Sequence, residues 1–215
     1  MKELILGIDE AGRGPVIGPM VICGIVVKKE DIPELVQIGV KDSKLLSPAT
    51  REKLKKMIEK IANKWELIKI SPSQIDEYGM TYLHLKSITQ LINKFCPQVA
   101  IIDCPTRWPN SYEENVRALT KNKKTKLVVE NFADGNYSIV AAASILAKVA
   151  RDEEIKNLSL RYGQIGSGYP SDQKTIEFLK KCLRKDSQLP DIVRKRWKTI
   201  DRVKMMLKER KNKNE

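Results

Sequence analysis

Histidine and cysteine are scarce in this chain, with one His and four Cys among 215 residues. Cys23, Cys96, Cys104 and Cys182 are irregularly spaced, form no Cys-x-x-Cys pair and have only His84 as an imidazole partner, so the spacing of a zinc site is missing. They read as buried thiols of a reducing compartment, since a chain of this length buries a sizeable core without disulfides. No apolar run approaches the roughly 20 residues of a membrane span. The opening Met1-Lys2-Glu3-Leu4-Ile5-Leu6 enters a strand pattern without a signal-peptide core. A cytoplasmic protein with no membrane contact is expected. Acidic residues are also in deficit, 27 against 40 Lys and Arg, for a formal net charge of +13. Self-repulsion of that size points to a polyanionic partner, nucleic acid first.

Apolar runs over 3–9, 20–27 and 65–70 predict three strands. Between them, 48–63 places Leu54, Met57, Ile58, Ile61 and Ala62 on one helical stripe. Helical patterns follow over 81–95, 111–119 and 139–158, alternating with short strands at 99–103 and 127–129. Three strands, then helix–strand–helix–strand–helix, predict a mixed α/β sheet with helices on both faces. Beyond Ser159 the pattern is polar and helical, which divides the chain into a sheet domain, 1–158, and a C-terminal helical region, 159–215, whose Lys-Asn-Lys-Asn tail reads as disordered.

The chemistry concentrates at strand ends. Leu4, Ile5, Leu6 and Ile8 form a buried strand that runs into Asp9 and Glu10, and acids at such an edge must be desolvated unless a positive group meets them. Val99 to Asp103 is a second apolar run ending in a carboxylate, and ligands of open α/β sheets bind at the carboxyl ends of parallel strands. Asp134 precedes the long helix, where capping alone would account for it. Because side chains alternate along a strand, Asp9 and Glu10 are expected on opposite faces, so the strand must end or bend there for both to serve one site. Carboxylates converging without His or Cys make a hard oxygen site suited to Mg²⁺ or Mn²⁺. Two such ions about 3.5–4 Å apart would activate water and stabilise the leaving oxygen of a phosphodiester. Gly12 and Gly14 let an anion approach the backbone closely, with Arg13 facing a phosphate.

The run Gly7-Ile8-Asp9-Glu10-Ala11-Gly12-Arg13-Gly14-Pro15-Val16-Ile17-Gly18-Pro19 resembles the opening motif of ribonuclease HII, the type 2 ribonuclease H family. The resemblance continues in order through Val40-Lys41-Asp42-Ser43-Lys44-Leu45-Leu46, the long stretch from Ala133-Asp134 through Ala141 to Lys148, and Gly168-Tyr169-Pro170. It implies a ribonuclease H-like mixed sheet flanked by helices, with a C-terminal helical region. It also implies hydrolysis of the RNA strand of RNA/DNA hybrids and cutting at ribonucleotides embedded in duplex DNA, leaving 5′-phosphate and 3′-hydroxyl ends. By the same resemblance, Asp9, Glu10, Asp103 and Asp134 bind metal and catalyse. The resemblance likewise implies that Gly12, Arg13, Gly14 and Tyr169 read the 2′-hydroxyl that distinguishes RNA from DNA. The competing readings are ribonuclease HIII, which typically has an extra N-terminal domain that is not expected here with the motif starting within ten residues of Met1, an integrase-like core, and a basic nucleic-acid-binding module without catalysis.

Lys41, Ser43 and Lys44 read as a phosphate clamp, and Lys148, on the long helix, as a residue facing the scissile region. From Val193 onward, Arg194, Lys195, Arg196, Lys198, Arg202, Lys204, Lys208, Arg210, Lys211 and Lys213 are suited to gripping phosphates without reading sequence. Trp197, Ile200, Val203, Met206 and Leu207 give that segment a docking stripe. His84, among Tyr82, Leu83 and Leu85, reads as a packing residue. One catalytic set per chain requires no oligomer, so a monomer is expected, and the C-terminus carries no clear sliding-clamp motif.

Overall fold

A computed structural model describes residues 3–40, 46–185 and 188–212. In chain order these form β1 (Leu4–Ala11), β2 (Met20–Lys28), a 3₁₀ turn (Lys29–Asp31), α1 (Ile32–Gln37), α2 (Pro48–Ile61), β3 (Lys64–Ile70), α3 (Pro72–Tyr78) and α4 (Met80–Phe95). There follow β4 (Val99–Asp103), α5 (Pro109–Leu119), β5 (Lys126–Glu130), α6 (Ala133–Asn136), α7 (Ser138–Tyr162), α8 (Gln173–Lys185) and α9 (Lys198–Asn212). Two compact units result, the first comprising Met1–Ala11, Val21–Lys69 and Thr81–Ala150, the second Gly12–Met20, Ile70–Met80 and Arg151–Glu215.

In the first unit the strands make one five-stranded sheet in the order β3-β2-β1-β4-β5. β1 runs antiparallel to β2 and parallel to β4, and β4 is parallel to β5. The mixed sheet expected from the order of elements is present. Alternation sorts the side chains onto two covered faces. Cys23, Ile25, Val27 and Ile101 pack with Ala141, Ala142 and Ile145 of α7 and with Leu54 and Ile58 of α2. On the opposite face, Leu91 of α4 lies over Gly24, where an added Cβ would stand 3.0 Å from Leu91 Cδ1 and 3.3 Å from Leu6 Cδ1.

Local chemistry sets the element ends. The Ser47 hydroxyl caps α2 by accepting from the Thr50 N–H at 3.1 Å, and Pro48 occupies the first helical turn, where no N–H is needed. α4 stops where Cys96 turns left-handed (φ 48°) ahead of Pro97. That turn leaves Cys96 exposed, unlike the buried Cys23 and Cys104, so the expectation of uniformly buried thiols fails there.

The second unit has its own core of Val16, Ile17, Ile165, Ile176, Leu179, Ile192, Val193, Ile200 and Val203. Ile200 and Val203 dock α9 as the stripe predicts, but Met206 is exposed. α9 continues through Lys211 and Asn212, so this part of the tail is helical rather than disordered. Among the described residues no helix is long and apolar enough to cross a membrane.

Gly7 shows why β1 carries a glycine in its interior. A Cβ there would meet the backbone carbon and oxygen of Ile139 at 2.7 Å, so only a glycine lets α7 begin this close to the sheet. Gly7→Ala is expected to destabilise the protein by about 1–3 kcal/mol through overpacking. Gly135→Ala, where an added Cβ meets nothing within 4 Å, serves as the control. Urea denaturation of the two variants measures the difference.

Candidate active site

In the first unit, β1 and β4 pair in parallel through Ile8↔Ile102, so Asp9 and Asp103 follow the last pair at adjacent carboxyl ends. Asp9 is 6% exposed. Its Oδ1 accepts the Glu10 N–H at 2.6 Å, and its carboxylate bonds with the Ser144 side chain of α7. The Asp9 carboxyl is held well above the usual carboxylate range, first by burial and then by the charges of Glu10 and Asp103, with the bonds from Ser144 and the Glu10 N–H opposing the rise. Asp103 Oδ1 accepts the Ala133 N–H at 2.7 Å, which fastens the start of α6 to the end of β4. Asp134, the next residue, is buried. Phe132 makes this turn in the left-handed region (φ 60°) while its side chain is exposed.

Glu10 departs from the expectation that β1 must end or bend. The strand continues to Ala11 and the alternation holds, with Asp9 opposite Cys23 and bonded to Ser144 of α7, and Glu10 bonded on the other side to His84 of α4. His84 is buried, as a packing residue should be, but its Nε2 lies 2.9 Å from Glu10 Oε2 and its Nδ1 2.6 Å from the Tyr112 hydroxyl. No sequence signal links Glu10 to a histidine 74 positions away. Among the described residues no three carboxylate, imidazole or thiol groups already enclose one ion. The convergence of Asp9, Glu10 and Asp103 registers in the charge that the last two exert on Asp9. The donor set remains oxygen-rich and hard, which fits Mg²⁺ or Mn²⁺ better than a softer metal. Lys148 lies one helical turn beyond Ser144 on α7 and is half-buried. Lys41, Ser43 and Lys44 lie outside the described residues.

The second unit holds the glycine–arginine–glycine loop. Gly12 has φ 89°, and a Cβ on it would stand 2.6 Å from both Arg151 Cδ and the Pro19 carbonyl. Arg194, fully buried, donates to the carbonyls of Gly12 at 2.5 Å, Arg13 at 2.9 Å and Gly18 at 3.0 Å. The Trp197 indole N–H donates to the Gly14 carbonyl at 3.2 Å, and the Arg194 guanidinium stacks 4.9 Å from the Trp197 ring centroid. Tyr169 packs beside Gly14, its Cε1 3.8 Å from where a Cβ would be, and lies 5.1 Å from the buried Arg151 guanidinium. The predicted Gly12, Gly14 and Tyr169 are therefore brought together. Arg13 is half-buried in the same loop.

Arg194 is a correction to the basic-segment reading. Its guanidinium is spent on backbone carbonyls in the interior, where burial and the nearby Arg151 charge push its pKa down to about 10. A run of cations in sequence does not show which one turns inward. Arg196 Nη1 donates to the Asp76 carbonyl at 2.8 Å, and Arg202 to the Pro170 carbonyl at 3.1 Å, so these too are engaged with the protein.

Two outcomes follow from these contacts. Asp9→Asn keeps an acceptor oxygen and removes a buried charge, so with chelator present it is expected to melt about 2–4 °C above the parent at pH 8, the equivalent of about 1 kcal/mol in a chain of this size. The raised carboxyl lets the folded parent bind its proton before the unfolded chain does. Parental stability therefore rises as pH falls through that window, and the gap should close towards pH 4 in thermal scans. Arg194→Lys keeps the charge but cannot span three carbonyls with a planar fork. A loss of about 1–3 kcal/mol is expected, read by urea denaturation.

The geometry has close counterparts in known proteins. A family model described as Ribonuclease HII matches residues 6–200. Ribonuclease HII of Pyrococcus abyssi is 42% identical over 208 residues, 95% of this chain and 92% of that protein. Among solved structures, the ribonuclease H2 of Pyrococcus horikoshii OT3 superposes with a TM-score of 0.88 at 39% identity, covering 95% of this chain and 99% of that one. RNase HII of Archaeoglobus fulgidus, solved as a PCNA:RNase HII complex, gives 0.83 at 38% identity over 93% and 96%. Bst-RNase HIII, solved with Mn²⁺, gives 0.77 at 22% identity over 97% of this chain and 71% of that one, a likeness of fold. With the motif in place, acids ending adjacent parallel strands and the match spanning nearly the whole sequence, this chain belongs to the ribonuclease HII family.

Proposed function

We propose that this protein is a divalent-metal-dependent endoribonuclease that cuts the RNA strand of RNA/DNA hybrids and cuts at ribonucleotides embedded in duplex DNA, leaving 5′-phosphate and 3′-hydroxyl ends. The observation that carries the reading is the pairing of β1 with β4, which sets Asp9 beside Asp103 in a buried position that raises the Asp9 carboxyl. Asp9, Glu10, Asp103 and Asp134 would hold Mg²⁺ or Mn²⁺. Bound ions of this kind supply Lewis-acid activation of water and stabilise the leaving oxygen.

The chain's own residues do the positioning. Ser144 and the Glu10 N–H orient Asp9, and the Ala133 N–H orients Asp103. In the glycine–arginine–glycine loop, Arg194 and Trp197 turn the carbonyls of Gly12, Arg13 and Gly14 inward. Tyr169, about one-third exposed against Arg151, offers its ring to a sugar and its hydroxyl to a polar group. These groups suit recognition of a 2′-hydroxyl. Lys41, Ser43, Lys44 and Lys148 are assigned to the phosphate backbone. The likeness to the A. fulgidus protein suggests a sliding clamp as a partner, without a clear motif here to carry it.

A panel of an all-DNA duplex, an RNA/DNA hybrid and a duplex with one ribonucleotide, each with Mg²⁺, Mn²⁺ or chelator, tests the reading. Cleavage is expected on the last two substrates alone and only with metal. Asp9→Asn, Asp103→Asn and Asp134→Asn should each lower the rate by about 10²-fold or more while hybrid binding persists. Undiminished cleavage in chelator, or by Asp9→Asn, would overturn it.

A further inference from the structure

Glu10 is the acid whose orientation the strand alternation makes awkward, and it is also the one gripped by a buried imidazole. His84 is 0% exposed and uses both ring nitrogens, Nε2 towards Glu10 Oε2 at 2.9 Å and Nδ1 towards the Tyr112 hydroxyl at 2.6 Å. An ionised carboxylate only accepts, so the tautomer that suits Glu10 carries its proton on Nε2, and a Tyr112 O–H donating to Nδ1 then satisfies the whole chain. The two rings sit 5.9 Å apart at an interplanar angle of 54°, a tilt that brings the hydroxyl to the ring edge. Both helices are anchored by their own buried residues, Leu83, Ile88 and Leu91 on α4 and Val116 on α5.

We propose that His84, backed by Tyr112, is a positioning residue for Glu10: it fixes the carboxylate's angle at the end of β1 and thereby the affinity of the acidic set for a divalent cation. The proposal rests on the assignment of Glu10 to that set. Partners that orient metal-binding side chains are worth about 10–100-fold in metal affinity or activity. A histidine serving only as packing would make no such contribution, and an apolar residue of similar size would replace it.

The test titrates Mn²⁺ into the protein without nucleic acid by calorimetry and measures kcat and KM on a hybrid. His84→Leu is expected to weaken Mn²⁺ binding about 10-fold or more and to lower kcat about 10–100-fold with KM within about twofold. His84→Gln keeps an N–H near the position of Nε2 and should recover most of both. Tyr112→Phe, which removes one hydroxyl, should weaken Mn²⁺ binding by a few fold, and it decides the matter if His84→Leu fails to fold. A folded His84→Leu that binds and cleaves like the parent overturns the proposal. So do Leu and Gln variants equally impaired in proportion to lost melting temperature, or a Tyr112→Phe that binds like the parent. Glu10→Gln run alongside separates the two layers: if it binds Mn²⁺ as tightly as the parent, the assignment of Glu10 fails, and His84's role with it. If Glu10→Gln alone loses binding, only the role of His84 fails.

Discussion

Parallel pairing of β1 with β4 is the interaction on which the first unit's chemistry depends. It sets buried Asp9 and half-buried Asp103 side by side just beyond the last parallel pair, with Glu10 next in the chain. Like charges gathered out of water oppose ionisation, and the fold answers with small, specific donors: the Ser144 side chain, the Glu10 amide, the Ala133 amide and the His84 imidazole. Each holds a carboxylate at a defined angle, and at Asp9 the bonds from Ser144 and the Glu10 amide oppose the rise that burial imposes. Local stability is what the site gives up.

Backbone geometry is used as sparingly as charge. Gly7 admits Ile139, in the first turn of α7, against β1, which is what brings Ser144, five residues further along the helix, to the sheet face that carries Asp9. Phe132 adopts a left-handed turn that a bulky side chain disfavours, and the turn delivers the Ala133 amide to Asp103. In the second unit a buried arginine performs the equivalent task. Arg194 gathers three carbonyls from a loop whose glycines carry no side chain to hold it, and stacking on Trp197 fixes the guanidinium plane. A cation in the interior is tolerated there because its planar donors meet several acceptors at once.

Much of this was legible in the residues. The strand runs, the amphipathic α2 stripe, the helix–strand alternation and the motif from Gly7 to Pro19 led to the sheet class and the family, because periodicity and glycine placement are local properties. Several expectations met a different outcome, and three of them show why. β1 does not bend at Glu10, because α4 supplies a partner on the far face. Arg194 is not a surface cation, because the loop carbonyls draw it inward. Cys96 is exposed, because α4 ends beneath it.

The sequence by itself determined which segments are strands and helices, which residues carry negative charge at strand ends and which family the chain resembles. Those follow from side-chain period, backbone propensity and motif, all readable within a short window. Only the tertiary structure decided that β1 and β4 are neighbours, that His84 and Tyr112 stand behind Glu10, and that one arginine among many is buried. Period tells which face a side chain takes, but not what will be packed against it. That is settled when residues distant in the chain meet and must satisfy one another's hydrogen bonds away from water.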